Sequence, residues 1–179
     1  MVDPLTRSRA LHRLLYLGIA AIVLFLRLLP VNGGASSFPG PDLMLALTFA
    51  WVMRRDDYVP ALLIVLVYVV EDMVFFRPIG LWPLLVLLAT EWLRRREESL
   101  RDLPFLFETA LIGAVWLAML VAQRLVLLVT FVEPLPLGLE LLRLLMTIAA
   151  YPLVVAFSKL AFGLRRAALG EVDAFGNRL

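Results

Sequence analysis

Between Ser36 and Asp57 the chain reads Ser-Ser-Phe-Pro-Gly-Pro-Asp, then an apolar run from Leu43 to Met53, then Arg54-Arg55-Asp56-Asp57. No other stretch limits the possible folds so tightly. Pro39 and Pro41 have no backbone N–H and Gly40 disfavours helix, so Phe38 to Gly40 makes a stiff, non-helical entry. Pro41 suits the first helical position, and Asp42 then lies where the positive helix end favours an anion. The run that follows is about eleven residues, roughly 16 Å of helix against a hydrocarbon thickness of ~30 Å. Irregular backbone at membrane depth needs protein or a wet cavity around it. The sequence therefore predicts a short second helix with the other helices packed about it.

The membrane enters this reading through composition. Apolar residues make up 62% of the chain and charged residues only 18%, with a mean hydropathy of +0.91. A soluble domain averages about a quarter charged residues, and a chain of this length has no interior large enough to hide so much apolar surface. Such a balance describes an integral membrane protein and argues against nucleic-acid binding, because the small basic excess is arginine of the kind that orients membrane helices. There is no cysteine and a single histidine, His12, which removes disulfides and thiolate metal sites and leaves no ligand set for a transition metal.

In chain order, residues 1–13 form a short basic segment, and Leu14 to Leu29 is the first apolar span, ended by Pro30. A basic start before an apolar run also describes a signal peptide, with Gly33 to Ala35 as small residues for cleavage. The length of the run, and the spans after it, favour an uncleaved helix. Pro41 to Arg54 is the second helix, Pro60 to Phe76 the third, and Ile79 to Leu93 the fourth, interrupted in register by Pro83. Phe105 to Val132 is the fifth, overlong at about 40 Å and expected to tilt or break near Gln123-Arg124. Glu133 to Gly138 is a tight turn, Leu139 to Gly163 the sixth helix, and 164–179 a polar tail. The expected architecture is all-α and polytopic: one six-helix transmembrane domain over 14–163.

Alternating the spans collects Arg7, Arg9, Arg13, Arg54, Arg55, Arg94, Arg95, Arg96, Arg101, Arg165, Arg166 and Arg178 on one side. By the positive-inside rule that side, with both termini, is cytoplasmic. Asp42, Glu71, Asp72, Glu133 and Glu140 then fall toward the outer third, as do Arg27, Arg77, Arg124 and Arg143. Buried singly, each would cost several kcal/mol, so they are expected to face inward and pair. Adjacent carboxylates repel, which makes Glu71-Asp72 the most specific piece; Arg124 and Arg143 are its expected partners, and Glu140 and Arg143 can also pair locally. Glu91 and Glu108 belong to the other end, near Arg94 and Arg95.

Three roles suit such a layer: an ion-paired structural plug, a docking site for another protein's segment, or a polar pocket for a small molecule or ion. No His-Glu-x-x-His, Gly-x-Ser-x-Gly or phosphate loop is present. Glu71-Asp72 with Arg77 has the wrong spacing for the Glu-Glu…Arg pattern of one intramembrane protease family. The residues point to a non-enzyme that needs no cofactor.

Phe38-Pro-Gly-Pro-Asp-Leu43, the helix end Ala50-Trp-Val-Met-Arg-Arg55, Glu71-Asp72, and the stretch from Gly80-Leu-Trp-Pro to Thr90-Glu-Trp-Leu-Arg-Arg95 together resemble bacterial MreD, the rod-shape-determining membrane-protein family. The likeness is strongest from Ser36 to Arg96. It implies a scaffold in the inner membrane that binds MreC, through MreC's transmembrane helix, and through it MreB, RodA and the elongation transpeptidase of peptidoglycan synthesis. The family's fold is similar to the S component of energy-coupling-factor transporters, so a substrate-binding S component of a vitamin transporter is the alternative function. The two differ in what they need inside: a roomy pocket for the transporter subunit, a filled and charge-balanced interior for the scaffold. On the scaffold reading the second helix, with Phe38, Asp42, Ala46, Ala50 and Met53, is the expected docking face for MreC, with plain internal packing as the competing role.

The arginine asymmetry makes a direct prediction. Topology reporters fused at Leu100 and at the C-terminus should report the cytoplasmic side, and reporters near Gly34 and Pro136 the outer side. A C-terminal fusion reporting outside would refute the six-span arrangement.

Overall fold

The computed structural model describes residues 4–29, 39–96, 100 and 103–163. They are all-helical. In chain order come α1 (Pro4–Leu28), α2 (Leu43–Val52), a 3-10 turn (Asp56–Tyr58), α3 (Ala61–Val74), α4 (Leu81–Arg94), α5 (Phe105–Val129) and α6 (Leu137–Phe162). Gly33 to Ala35, Phe38, Arg101 and the tail 164–179 lie outside the described residues.

Three helices are long and apolar enough to cross a membrane: Arg9–Leu28 within α1, Phe105–Val129 and Leu137–Phe162. Large apolar side chains on them face outward, among them Phe25, Leu106, Leu128 and Leu160, which is 85% exposed. Such a surface suits lipid, and this is a membrane protein. α3 and α4, at 14 residues each, reach only ~21 Å.

α2 is ten residues long, and everything from Met44 to Val52 is buried. Among the described residues, each of the five other named helices touches it. Tyr16 of α1 and Tyr68 of α3 both hydrogen bond to the Thr48 hydroxyl, at 2.8 and 2.9 Å. The Phe49 ring meets Trp116 of α5 edge-on at 5.6 Å. Trp51 donates to Ser158 of α6 at 3.3 Å, and α4 packs alongside. The predicted arrangement, a short helix wrapped by the rest, is the one observed.

Several boundaries differ from the sequence reading, each for a local reason. α1 begins at Pro4 rather than Leu14, so the basic segment is mostly helical; Pro suits a helix start, and the helix is tied down where Arg9 pairs with Asp57 at 3.1 Å and Arg13 donates to the Asp57 carbonyl at 3.1 Å. Pro41 stays outside α2, and Asp42 is the N-cap, its carboxylate accepting from the Leu45 N–H at 3.1 Å. Pro83 does not interrupt α4. It sits in the first turn, where a missing N–H breaks no helical bond. α5 runs unbroken for 25 residues through Gln123 and Arg124, because the Arg124 guanidinium is satisfied by Glu140 and the Leu135 carbonyl.

Because Ala46 and Ala50 are fully buried, enlarging either to Leu should overpack the centre and lower stability by about 1–3 kcal/mol. Leu160→Ala, on the lipid-facing side, should change it by less than about 0.5 kcal/mol. Thermal unfolding in detergent reads both.

Candidate functional site

The charge layer sits at the end of the bundle where α1, α3 and α5 finish and α2, α4 and α6 begin. α1 delivers Arg27 in its last turn, the α2 cap delivers Asp42, and α3 delivers Glu71 and Asp72 side by side. After α3 the chain turns through Phe76 in a left-handed conformation (φ 50°). This brings the Arg77 N–H to the Asp72 carbonyl at 3.0 Å and swings the Arg77 guanidinium back over the helix end. Gly80 (φ 96°) caps α4 in a conformation few other residues tolerate, and its N–H donates to Asp72 Oδ2 at 3.1 Å.

Glu71 is the hub. Its Oε1 accepts from Arg27 at 2.6 Å and from Arg77 at 2.5 Å. Asp72 lies 3.6 Å from Arg77 Nε. Asp42 Oδ2 accepts from Arg143 at 2.6 Å, and Asp42 Oδ1 lies 3.9 Å from Arg27, which joins the two halves of the network. The Phe75 ring has Arg27 on it at 4.7 Å and Arg77 at 5.8 Å. Three buried carboxylates, Asp42, Glu71 and Asp72, thus meet three guanidinium groups, Arg27, Arg77 and Arg143. Thr147 completes the join to α6: its hydroxyl accepts from the Asp42 N–H at 2.9 Å and donates to the Arg143 carbonyl at 2.7 Å.

Arg27, Asp42, Glu71, Asp72, Arg77 and Arg143 meet at one level as the sequence predicts, but with other pairings, and Thr147 joins them without a sequence signal. Arg124 and Arg143 do not hold Glu71 and Asp72; Arg27 and Arg77 do. α1 packs directly against α3, and the turn after Phe76 returns Arg77 to its own helix. Glu140 pairs with Arg124 rather than with Arg143, one turn along, whose side chain is drawn to Asp42. Glu133 is not part of the layer, since it lies exposed in the connection before α6.

The docking assignment on α2 also fails. Ala46 and Ala50 are 0% exposed, Asp42 4% and Met53 9%, so no partner helix reaches them, and Phe38 falls outside the described residues. Their role is internal packing, because the charge layer closes one end of α2 and five helices cover its sides.

At the opposite end, Glu108 is buried with Arg54 at 3.2 Å and accepts from Tyr151 at 2.6 Å; it does not meet Arg94 or Arg95. The Arg54 side chain, only 8% exposed, lies inside the protein. Glu91 does pair with Arg94, at 2.6 Å. The Tyr16–Thr48–Tyr68 hydroxyl chain was not foreseen, although Thr48 is the one polar residue in an otherwise apolar run.

The interior is charge-balanced but not filled, which departs from the scaffold expectation, while the space falls just short of the roughly 300 Å³ at which ligand sites begin. Beside the ion pairs a cavity of about 290 Å³ is lined by Asp42, Arg77, Trp82, Trp116, Glu140 and Arg143, together with Gln123, Thr147, Pro39 and several leucines. The fold and this layer define an all-helical membrane protein with a neutralised set of buried charges. Compared with protein-family models, curated proteins and solved structures, the chain matches none.

Removing the hub leaves two guanidinium groups without their carboxylate. Glu71→Ala should lower stability by about 3 kcal/mol or more, whereas Glu133→Ala should change it by less than about 0.5 kcal/mol. In double-mutant cycles Glu71 should couple to Arg27 by more than about 0.5 kcal/mol and not measurably to Arg124. Coupling to Arg124 would overturn the pairings.

Proposed function

We propose that this protein is a non-enzymatic scaffold of the MreD kind: a six-span inner-membrane protein with both termini cytoplasmic, which binds MreC and through it the cell-wall elongation machinery. The observation that carries the reading is the charge layer. Its carboxylates are matched by arginines from α1, the turn after α3, and α6, so the layer holds helices in register; it offers no displaced nucleophile or acid–base pair to a substrate. The resemblance to MreD, strongest from Ser36 to Arg96, supplies the identity of the partner. The clusters around Arg54, Arg55 and Arg94 to Arg96 support the orientation.

With α2 internal, the partner's helix docks on an outer face, and α1 is the best candidate. Only 11% of its apolar stretch is buried, against 28% in α5 and 22% in α6. Gly18 and Ala21 lie on its exposed side, and a Cβ at Gly18 would meet nothing within 4 Å. Helices in lipid associate where small residues let backbones approach, because the bilayer supplies no hydrophobic drive between them.

Crosslinking is clean in a chain without cysteine. Cysteines at Gly18 and Ala21 should crosslink to the MreC span in native membranes, while cysteines at Ala46 and Ala50 should not. Crosslinks from α5 or α6 alone would move the docking face. Failure of MreC to co-purify at all would refute the scaffold reading.

A further inference from the structure

The cavity beside the charge layer is rich in unmet donors. At about 290 Å³ it is near the lower limit of ligand sites, which run from roughly 300 to 1,000 Å³. Trp82 and Trp116 both line it, and the indole N–H of each is buried with no hydrogen-bond partner among the described residues. Trp116 is 2% exposed. Both are donors. A buried donor left unmet costs about 1–3 kcal/mol, so a natural occupant brings acceptors.

The wall's carboxylates are already engaged, Asp42 by Arg143 and the Leu45 N–H and Glu140 by Arg124, and the Thr147 hydroxyl is taken by the Asp42 N–H, while the Gln123 amide offers both donor and acceptor. Its charged residues balance, with Asp42 and Glu140 against Arg77 and Arg143. An anion would have to displace a carboxylate from an arginine, and a cation would find both carboxylates occupied; an uncharged acceptor does neither. Leu135 and Leu139 form part of the wall and are 61% and 46% exposed, so the wall reaches an apolar surface of the kind that faces lipid.

We infer that this cavity binds an uncharged amphiphile from the bilayer, its ester or amide carbonyl accepting from the Trp82 and Trp116 indoles and its apolar body lying against Leu120, Leu135 and Leu139. The site does not depend on the scaffold reading. It concerns a different set of atoms from the α1 face.

Native mass spectrometry of the full chain released from bilayer nanodiscs tests it, with monooctanoylglycerol as the added probe and octylamine, which lacks a carbonyl, as the control. The wild type should retain a single neutral amphiphile, either one carried from the bilayer or the probe, after surrounding lipid is stripped, and octylamine should not replace it. Leu120→Trp, which fills the cavity, should abolish retention while the melting temperature stays at or above that of the wild type. Trp116→Phe keeps an aromatic ring beside Phe49 and Tyr151 and should weaken retention about three- to tenfold, the worth of one hydrogen bond. Leu120→Trp also keeps the question decidable if Trp116→Phe proves unstable. No retained amphiphile in the wild type at saturating probe, meaning that the cavity holds water only, would overturn the inference. So would equal retention by Leu120→Trp, or retention of octylamine.

Discussion

A ten-residue helix buried from Met44 to Val52 must have its end groups met from within the protein, and Asp42 is where this happens. One carboxylate oxygen caps the Leu45 N–H, the other accepts from Arg143, and the Asp42 backbone N–H reaches Thr147. Capping, charge neutralisation and the join to α6 all pass through this one residue. Arg27 lies between Asp42 and Glu71, so the α2 cap and the acidic pair on α3 belong to one electrostatic unit. Without that unit a short helix would end in a low-dielectric interior with unmet N–H groups and an unpaired carboxylate.

The layer is balanced in number but not saturated in hydrogen bonds. Glu71 directs one oxygen at two arginines and leaves Oε2 without a partner; Asp72 Oδ1 and Arg77 Nε are likewise unmet. A charge network of this sort fixes geometry more than it adds net stability, since the desolvation of each ion offsets much of the attraction. The consequence is register. α1, α2, α3 and α6 are held at one level, with Gly80 placing the start of α4 against Asp72. The cavity lies where this polar layer meets the leucines and tryptophans of the neighbouring wall, at a change from paired charges to unpaired donors.

Internal rigidity and external availability fall on different helices. α2 carries the most distinctive sequence and is internal from Met44 to Val52, so its singular composition reflects the difficulty of burying a short helix, not the needs of a partner. α1 carries an unremarkable apolar sequence and leaves most of its surface outward, with Gly18 bare. In a membrane, a helix face that looks featureless in sequence is still a surface to which another span can pack, because association there rests on shape.

The sequence by itself determined the helical class, the membrane environment, the shortness and central place of α2, and the convergence of Arg27, Asp42, Glu71, Asp72, Arg77 and Arg143. Each follows from chain-local physics: hydropathy over a span, Pro-Gly-Pro ahead of an apolar run, and the penalty on buried charge that drives ions together. Only the tertiary structure decided which arginine meets which acid, that Glu133 stands outside and Glu108 lies buried with Arg54, that α5 passes Arg124 unbroken, and that Ala46 and Ala50 face the interior. Those outcomes depend on which helices lie side by side and on the rotation of each about its axis. A uniformly apolar helix such as α2 carries no amphipathic stripe to announce that rotation, so its neighbours alone set it.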